Sequence, residues 1–334
     1  MREMRIGIYS QNFELIHSAL EFLDSQCSEI LTALPPAVQV VTRPFDRIWF
    51  RTLPASFQFF LLNHILRYGQ AQLTAFPEII DYLQSEDEFC HLTEDERLPF
   101  QRLLLNDYLM RGNISAAETL LSSSKESFTA TGTEGTIAFL KGDREHALAL
   151  FREDMAKLKE ISGSDEAAFF GVQGLFHILA EISGKDRASL HELTHQISIA
   201  LTQFEESEEN KAYSYLASLV NNQSMQYNSN LTLDLSDDKA PHSLTILFVS
   251  LVQYWLNASL DPAVESIVRN YSRKAEQDSY LFFSFHLADL LSHIASDPAE
   301  YQAIVNRLST ATGLVSFLDI LEPEEPWKRS LQAL

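Results

Sequence analysis

The chain of 334 residues is 46% hydrophobic and holds only 11 Gly and 11 Pro. That is too apolar for a disordered tail and too poor in turn residues for an all-β fold. Its formal net charge of −21 repels phosphate backbones and argues against broad contact with DNA or RNA.

The charge is unevenly placed. Residues 1–70 carry six Lys/Arg and six Asp/Glu, so the remaining 19 basic and 40 acidic residues all lie beyond them. An acidic surface of this kind serves solubility or attracts a basic partner. Cys27 and Cys90 make no disulfide framework, and with no secretory leader in view they lead to the expectation of a reducing cytoplasm. The most apolar run, Leu244 to Leu256, falls short of the ~20 residues a bilayer span needs. It is expected to be a buried core helix, and no membrane association is expected.

In chain order, residues 1–55 read as a small mixed cap. Met4–Tyr9 and Val38–Val41 suit short strands, with Arg47–Arg51 pairing beside them. A helix from about Phe13 to Leu34 separates these pieces, and Pro35-Pro36 stops it. In the cap, Arg43, Arg47 and Arg51 lie among Phe45, Trp49 and Phe50. This basic and aromatic cluster suits a packing edge of a strand, or contact with a nucleic acid or an acidic partner. From residue 56 to 334 the pattern is helix after helix. The first is marked by Phe57, Phe60 and Leu61, and the next runs from Asp95 to Met110.

Two segments then share one template. Tyr108, Gly112, Ala117 and Leu121 fall at about positions 11, 15, 20 and 24 of a two-helix repeat, Gly135, Gly142, Ala147 and Phe151 at about positions 8, 15, 20 and 24, and the turn glycines are 30 residues apart. In each copy a Gly followed by Asn113 or Asp143 makes the turn. A small residue lets the second helix approach the first, and a bulky one fills the groove between them. The period and the positions fit a tetratricopeptide-like repeat. The expected fold class is therefore all-α: a tetratricopeptide-like helical-repeat array, or α-solenoid, with a small mixed N-terminal cap.

Further helices follow. Phe169, Val172, Phe176 and Leu179 recur at helical spacing. Gly184-Lys185-Asp186 turns the chain into a helix over Ala188–Phe204, and Glu205–Asn210 is an acidic connector. Asn221–Ala240 is expected to be a long polar loop. Two helix pairs come next, Ser243–Asn257 with Pro262–Glu276 and Ser279–Ala295 with Pro298–Leu308. Asp261-Pro262 and Asp297-Pro298 each place an N-cap before a proline at the first helical position. A last helix starts near Trp327.

Two constellations bear on chemistry. His191-Glu192-Leu193-Thr194-His195 matches the H-E-x-x-H signature, in which two histidines one turn apart ligate zinc and the glutamate activates water. No third ligand follows at a suitable spacing. Leu190, Leu193, Ile197, Ala200 and Leu201 form an apolar stripe that leaves the histidines on or beside the solvated face. His286, Asp289 and His293 share a helical face in a very apolar stretch, which suits a metal, a buried polar cluster or hydrogen-bonded core histidines. No P-loop, G-x-G-x-x-G, G-x-S-x-G or zinc-ribbon pattern is present. The reading is a chain with no catalytic residue, no cofactor and no metal. The alternative is a zinc-dependent hydrolase using His191, Glu192 and His195.

The blocks Phe139-Leu140-Lys141-Gly142-Asp143 with Ala147 and Phe151, then Phe169 to Phe176, and finally Glu325-Pro326-Trp327 with Leu331 and Leu334, together resemble a known region. They are similar to the helical repeats that precede the motor in bacterial Swi/Snf-family helicases. The resemblance covers about a third of the chain. Phe170 stands where the family has proline, and Asp165-Glu166 where it is often basic. No Walker motif occurs, so the resemblance implies the non-catalytic part of a longer protein, or a freestanding relative. It implies a protein partner, above all a motor domain in the same polypeptide, and no direct nucleic-acid binding. A freestanding tetratricopeptide-like adaptor is the other interaction reading.

Overall fold

A computed structural model describes residues 47–51, 55–90, 92–124, 128–162, 170–184, 186–201, 212–216, 219 and 242–321. The expected strands Met4–Tyr9 and Val38–Val41, the helix from Phe13, the polar loop over 221–240 and the helix near Trp327 lie outside the described residues. Among the described residues every regular element is helical. None of the helices is long and apolar enough to cross a membrane. The described residues fall into two compact units, one from residues up to 64 with 77–100, the other from 65–76 with 101–321.

The first unit holds α1 (Arg47–Arg51), the start of α2 (Ala55–Gln72), α3 (Pro77–Gln84), α4 (Glu86–Phe89) and the start of α5 (Glu94–Met110). Arg47–Arg51 is a helix and not the strand expected from its alternating composition. Helical spacing lets Arg47 and Arg51 both reach the buried carboxylate of Glu88 while Phe50 turns inward. The core is a chain of rings: Phe50 on Tyr82 at 5.3 Å, Tyr82 on Phe89 at 5.2 Å and Phe89 on Phe100 at 4.9 Å. Tyr82 donates its hydroxyl to Gln58, and burial pushes its pKa up to about 12. Thr93 and Glu96 cap α5 reciprocally, side chain to backbone in both directions.

The second unit contains α6 (Ile114–Ser123), α7 (Thr133–Leu140), α8 (Arg144–Ser162), α9 (Val172–Gly184), α10 (Arg187–Leu201), α11 (Ser243–Asn257), α12 (Pro262–Gln277), α13 (Leu281–Ile294) and α14 (Ala299–Thr312), with a 3₁₀ turn at Leu318–Ile320. Successive helices pack on one another from α6 to α10 and again from α11 to α14. In addition α7 touches α9, and α11 touches α13.

The two template segments turn in the same way. Asn113 N–H donates to Tyr108 O and Gly112 N–H to Leu109 O; Asp143 N–H donates to Ala138 O and Gly142 N–H to Phe139 O. Gly112 and Gly142 take the left-handed conformation, at φ 67° and 88°, that this closure requires. Asn113 and Asp143 then cap the following helix through the N–H groups of Ala116 and His146. The same closure recurs without glycine, at Leu73 (φ 50°) after α2 and at Ser279 (φ 61°) between α12 and α13. Ala117, Ala147 and Phe151 are wholly buried, as the template requires. Gly135 is the contact point of α7 and α8, since a Cβ there would lie 2.8 Å from the Phe151 ring.

The run Leu244–Leu256 does lie in a core helix, α11, buried along most of its length. Asp261 caps α12 by accepting from Ala263, with Pro262 at the first helical position. At the other Asp-Pro step the helix begins one residue later, at Ala299, with Pro298 in the cap position.

After Gly313 the chain runs back as a strap. Leu314, Phe317, Leu318, Ile320 and Leu321 are buried. The strap crosses both template turns: a Cβ at Gly112 would meet Leu314, and one at Gly142 would meet Val315. Val315 N–H donates to Leu140 O, Arg144 to Ser316 O, and Trp255 Nε1 to Leu318 O. Phe317 fills a box of Phe139, Phe176, Phe282 and His286. A strictly neighbour-to-neighbour repeat has no such segment.

Candidate functional site: a cleft between the eighth, ninth and tenth helices

The H-E-x-x-H segment lies on α10. Leu190, Leu193 and Ile197 are buried, and His191, Glu192 and His195 are exposed. Thr194, between them, is buried and returns its hydroxyl to Leu190 O and His191 O. Among the described residues no group of three His, Cys, Asp or Glu side chains is placed to hold a metal ion. The histidines therefore sit on the solvated face, as the apolar stripe implies.

Glu192 differs from its neighbours, because it borders a cleft of about 300 Å³ in the second unit. One face of α8 supplies Arg152, Met155, Ala156 and Lys159, at helical spacing. Across from it stand His177 and Glu181 of α9 and Ser189, Glu192 and Leu193 of α10. Sequence reading marked Phe176 and Leu179 on α9 as a core stripe and passed over His177 and Glu181 between and beyond them.

Glu181 is 2% exposed. It accepts two hydrogen bonds from Arg152, from Nε at 2.9 Å and Nη2 at 2.7 Å. This is the bidentate geometry in which a guanidinium holds a carboxylate best. Burial opposes ionisation of Glu181, but His177 and Arg152 beside it outweigh burial and hold its carboxyl below the ordinary carboxylate value. Arg152 also lies 3.6 Å from Asp186. Its Nη1 has no partner among the described residues.

His177 is 3% exposed. Its ring stacks on Phe151 at 4.9 Å and 17° and lies 5.8 Å from Phe170. Its Nε2 is 3.4 Å from Glu181 Oε1, an ion-pair distance too poorly aligned for a hydrogen bond, and neither ring nitrogen has a hydrogen-bond partner among the described residues. The imidazole is thus held by aromatic rings beside a clamped carboxylate at the edge of the cleft, with both of its nitrogens buried.

The second histidine constellation does not converge. His286 is fully buried, and among the described residues both ring nitrogens are without a hydrogen-bond partner, in place of the hydrogen-bonded core histidine expected. Asp289 accepts from Ser316 of the strap, and burial raises its carboxyl pKa against that bond. His293 is half exposed and its Nδ1 lies 2.9 Å from Asp289 O. The three residues share a helix without facing a common point. No family model, curated protein or solved structure matches the chain.

Proposed function

We propose that this chain is a non-catalytic protein-interaction scaffold of tetratricopeptide-like hairpins, cytoplasmic, whose partner is the motor of a Swi/Snf-type helicase. The observation that carries the repeat reading is the identity of the two template turns. The same pair of closing hydrogen bonds, the same left-handed glycine and the same Asn or Asp cap occur 30 residues apart. Stacked hairpins of this kind offer extended faces to partners. The excess of acidic residues beyond residue 70 favours a basic protein surface over a nucleic acid. The helicase assignment rests on the sequence resemblance alone.

The test mixes the purified chain with a separately expressed bacterial Swi/Snf motor domain, and in parallel with duplex DNA, at moderate salt. A saturable complex with the motor and none with DNA supports the reading. Tight DNA binding with no motor association overturns it.

A further inference from the structure

The strap Leu314–Leu321 is held mostly by side chains. Among the described residues its one backbone hydrogen bond to a helix runs from Val315 N–H to Leu140 O at the end of α7. Arg144 reaches Ser316 O and Asp319, Trp255 reaches Leu318 O, Ser309 reaches Leu314 O, and the Ser316 hydroxyl donates to Asp289. Gly313, where the strap leaves α14, has φ 75° and nothing within 4 Å of a would-be Cβ, which suits a hinge. Under the strap, Phe317 lies flat on His286 at 3.7 Å and 22°. A buried polar side chain normally has a partner. Both His286 nitrogens are buried and have none among the described residues.

We propose that the strap is an acid-released latch: when His286 takes up a proton, residues 314–321 lift away while the helices beneath stay folded. The closed strap denies the ring the water that a charged imidazole needs. The open strap admits it, so protons bind the open form and draw the equilibrium toward it. The ionisable groups around the strap are Asp289 and His293 on α13, Arg144 on α8 and Asp319 on the strap itself. From α7, α9 and α11 the strap meets Phe139, Phe176 and Trp255. No charged neighbour among the described residues offsets the burial of the His286 ring. Asp289 works against release. Burial raises its carboxyl pKa in the closed form, so through this group acid favours closure. Release uncovers an apolar slot of Phe139, Phe176 and Phe282 beside the template turns. The latch is independent of the helicase reading, because every group in it belongs to the second unit.

Native-state hydrogen exchange of the full chain, corrected for intrinsic exchange rates, reads the latch. The amides of Val315, Leu318 and Ile320 are each hydrogen-bonded in the closed strap. At about pH 7 they are expected to be at least about tenfold less protected than the interior amides of α13, the mark of an opening smaller than global unfolding. Between about pH 7 and pH 5 the strap's opening equilibrium is expected to rise roughly 25-fold, as set by a ring that titrates at 6.5 when open and at about 3 when closed. His286→Phe and His286→Leu differ in volume and take no proton. Each is expected to hold that rise below about threefold. Asp289→Asn keeps an acceptor for Ser316 and removes the opposing group, so its rise is expected to match or exceed that of the wild type. His293→Gln is expected to keep the rise, since that side chain is already half exposed. Strap amides as protected as the α13 interior, or no rise in the wild type, overturn the proposal. So do a full rise in either His286 variant, a smaller rise in Asp289→Asn and a rise lost in His293→Gln.

Discussion

Phe317 lies flat on His286, with ring centroids 3.7 Å apart and planes at 22°. The strap thus closes over an imidazole that no polar group among the described residues serves. Phe282 and Phe285 complete the surround. Burial lowers the His286 pKa to about 3, from an ordinary value of 6.5, so the native ring is neutral wherever the protein is handled.

That depression sets a pH dependence of known sign. Above about pH 6.5 the ring is neutral in both folded and unfolded chains and contributes nothing. Below that pH the unfolded chain takes up a proton that the native chain refuses until about pH 3, so stability falls through this window. At pH 5 the loss from this group is about 2 kcal/mol. Asp289, with its raised pKa, acts in the opposite sense but is common to wild type and variant. Urea unfolding of wild type and His286→Phe at pH 7.5 and 5 is expected to show the wild type losing about 2 kcal/mol more. Equal losses would show that the ring is already charged or hydrated in the native state.

Phe317→Ala removes the ring from its box. A fully buried Phe truncated to Ala costs about 3 to 5 kcal/mol, and Phe317 is 1% exposed. The strap's other anchors, Trp255 to Leu318 O and Arg144 to Ser316 O, hold the backbone but not the aromatic contacts. The measurement is the urea midpoint. A loss below about 1 kcal/mol would mean that the strap is dispensable to the core.

The turns were legible because their chemistry is local. Gly112-Asn113 and Gly142-Asp143 carry the left-handed residue and the cap side by side, and Asp261-Pro262 does the same for α12. The turns at Leu73 and Ser279 use the same backbone closure with residues that do not advertise it. The strap was missed for a different reason. Leu314 to Leu321 has no helical or alternating period, and its burial comes from Phe139, Phe176 and Phe282, far off in sequence. Within the cleft, Glu192 drew attention through its motif, yet its cleft neighbours are Arg152, His177 and Glu181 in place of His191 and His195. Pairing between α8 and α9 across 29 residues leaves no spacing to read.

His191→Ala and His195→Ala test the exposed pair directly. Both side chains lie on the solvated face of α10, so each change is expected to shift stability by no more than ~0.5 kcal/mol. Added zinc is expected to leave Tm unchanged, because two histidines without a third ligand make no structural site. Thermal unfolding with and without zinc decides it, and a zinc-dependent rise in Tm abolished by His195→Ala would restore the hydrolase reading.

Gly135 and Gly313 separate steric from conformational demands on glycine. At Gly135 an added Cβ would lie 2.8 Å from the Phe151 ring, and Phe151 is fully buried with no room to retreat. Overpacking of this kind costs about 1 to 3 kcal/mol. Gly313 has φ 75° but nothing within 4 Å of its would-be Cβ, so Gly313→Ala is expected to cost about 1 kcal/mol of backbone strain. Unfolding midpoints that rank the two in the reverse order would show that α7 and α8 are not in close contact at Gly135.

Arg152 and Glu181 are expected to be strongly non-additive. Glu181 is 3% exposed along its side chain, while Arg152 is 45% exposed. Removing the arginine by Arg152→Met strands a buried carboxylate with only the ill-aligned His177 ring nearby. Loss of one partner of a buried pair costs about 3 to 5 kcal/mol, and the exposure of Arg152 lets water reach Glu181, which brings the expected loss to about 2 kcal/mol. Glu181→Gln is expected to cost less, because Arg152 keeps solvent and Asp186 at 3.6 Å. The double variant, Met facing Gln, has no buried charge to satisfy. Its loss is expected to be smaller than the sum of the two single losses by at least 1 kcal/mol. The single-variant loss also carries a sign in pH. The wild-type carboxyl is held below its ordinary value, so the pair's contribution is present above the ordinary carboxylate range and fades as pH falls through the depressed pKa. In Arg152→Met the stranded carboxyl titrates upward, and the gap to wild type is expected to narrow between about pH 7 and pH 4. Chemical unfolding of the four proteins at both pH values closes the cycle. Simple additivity at pH 7 would show that the bidentate clamp contributes no coupling to the fold.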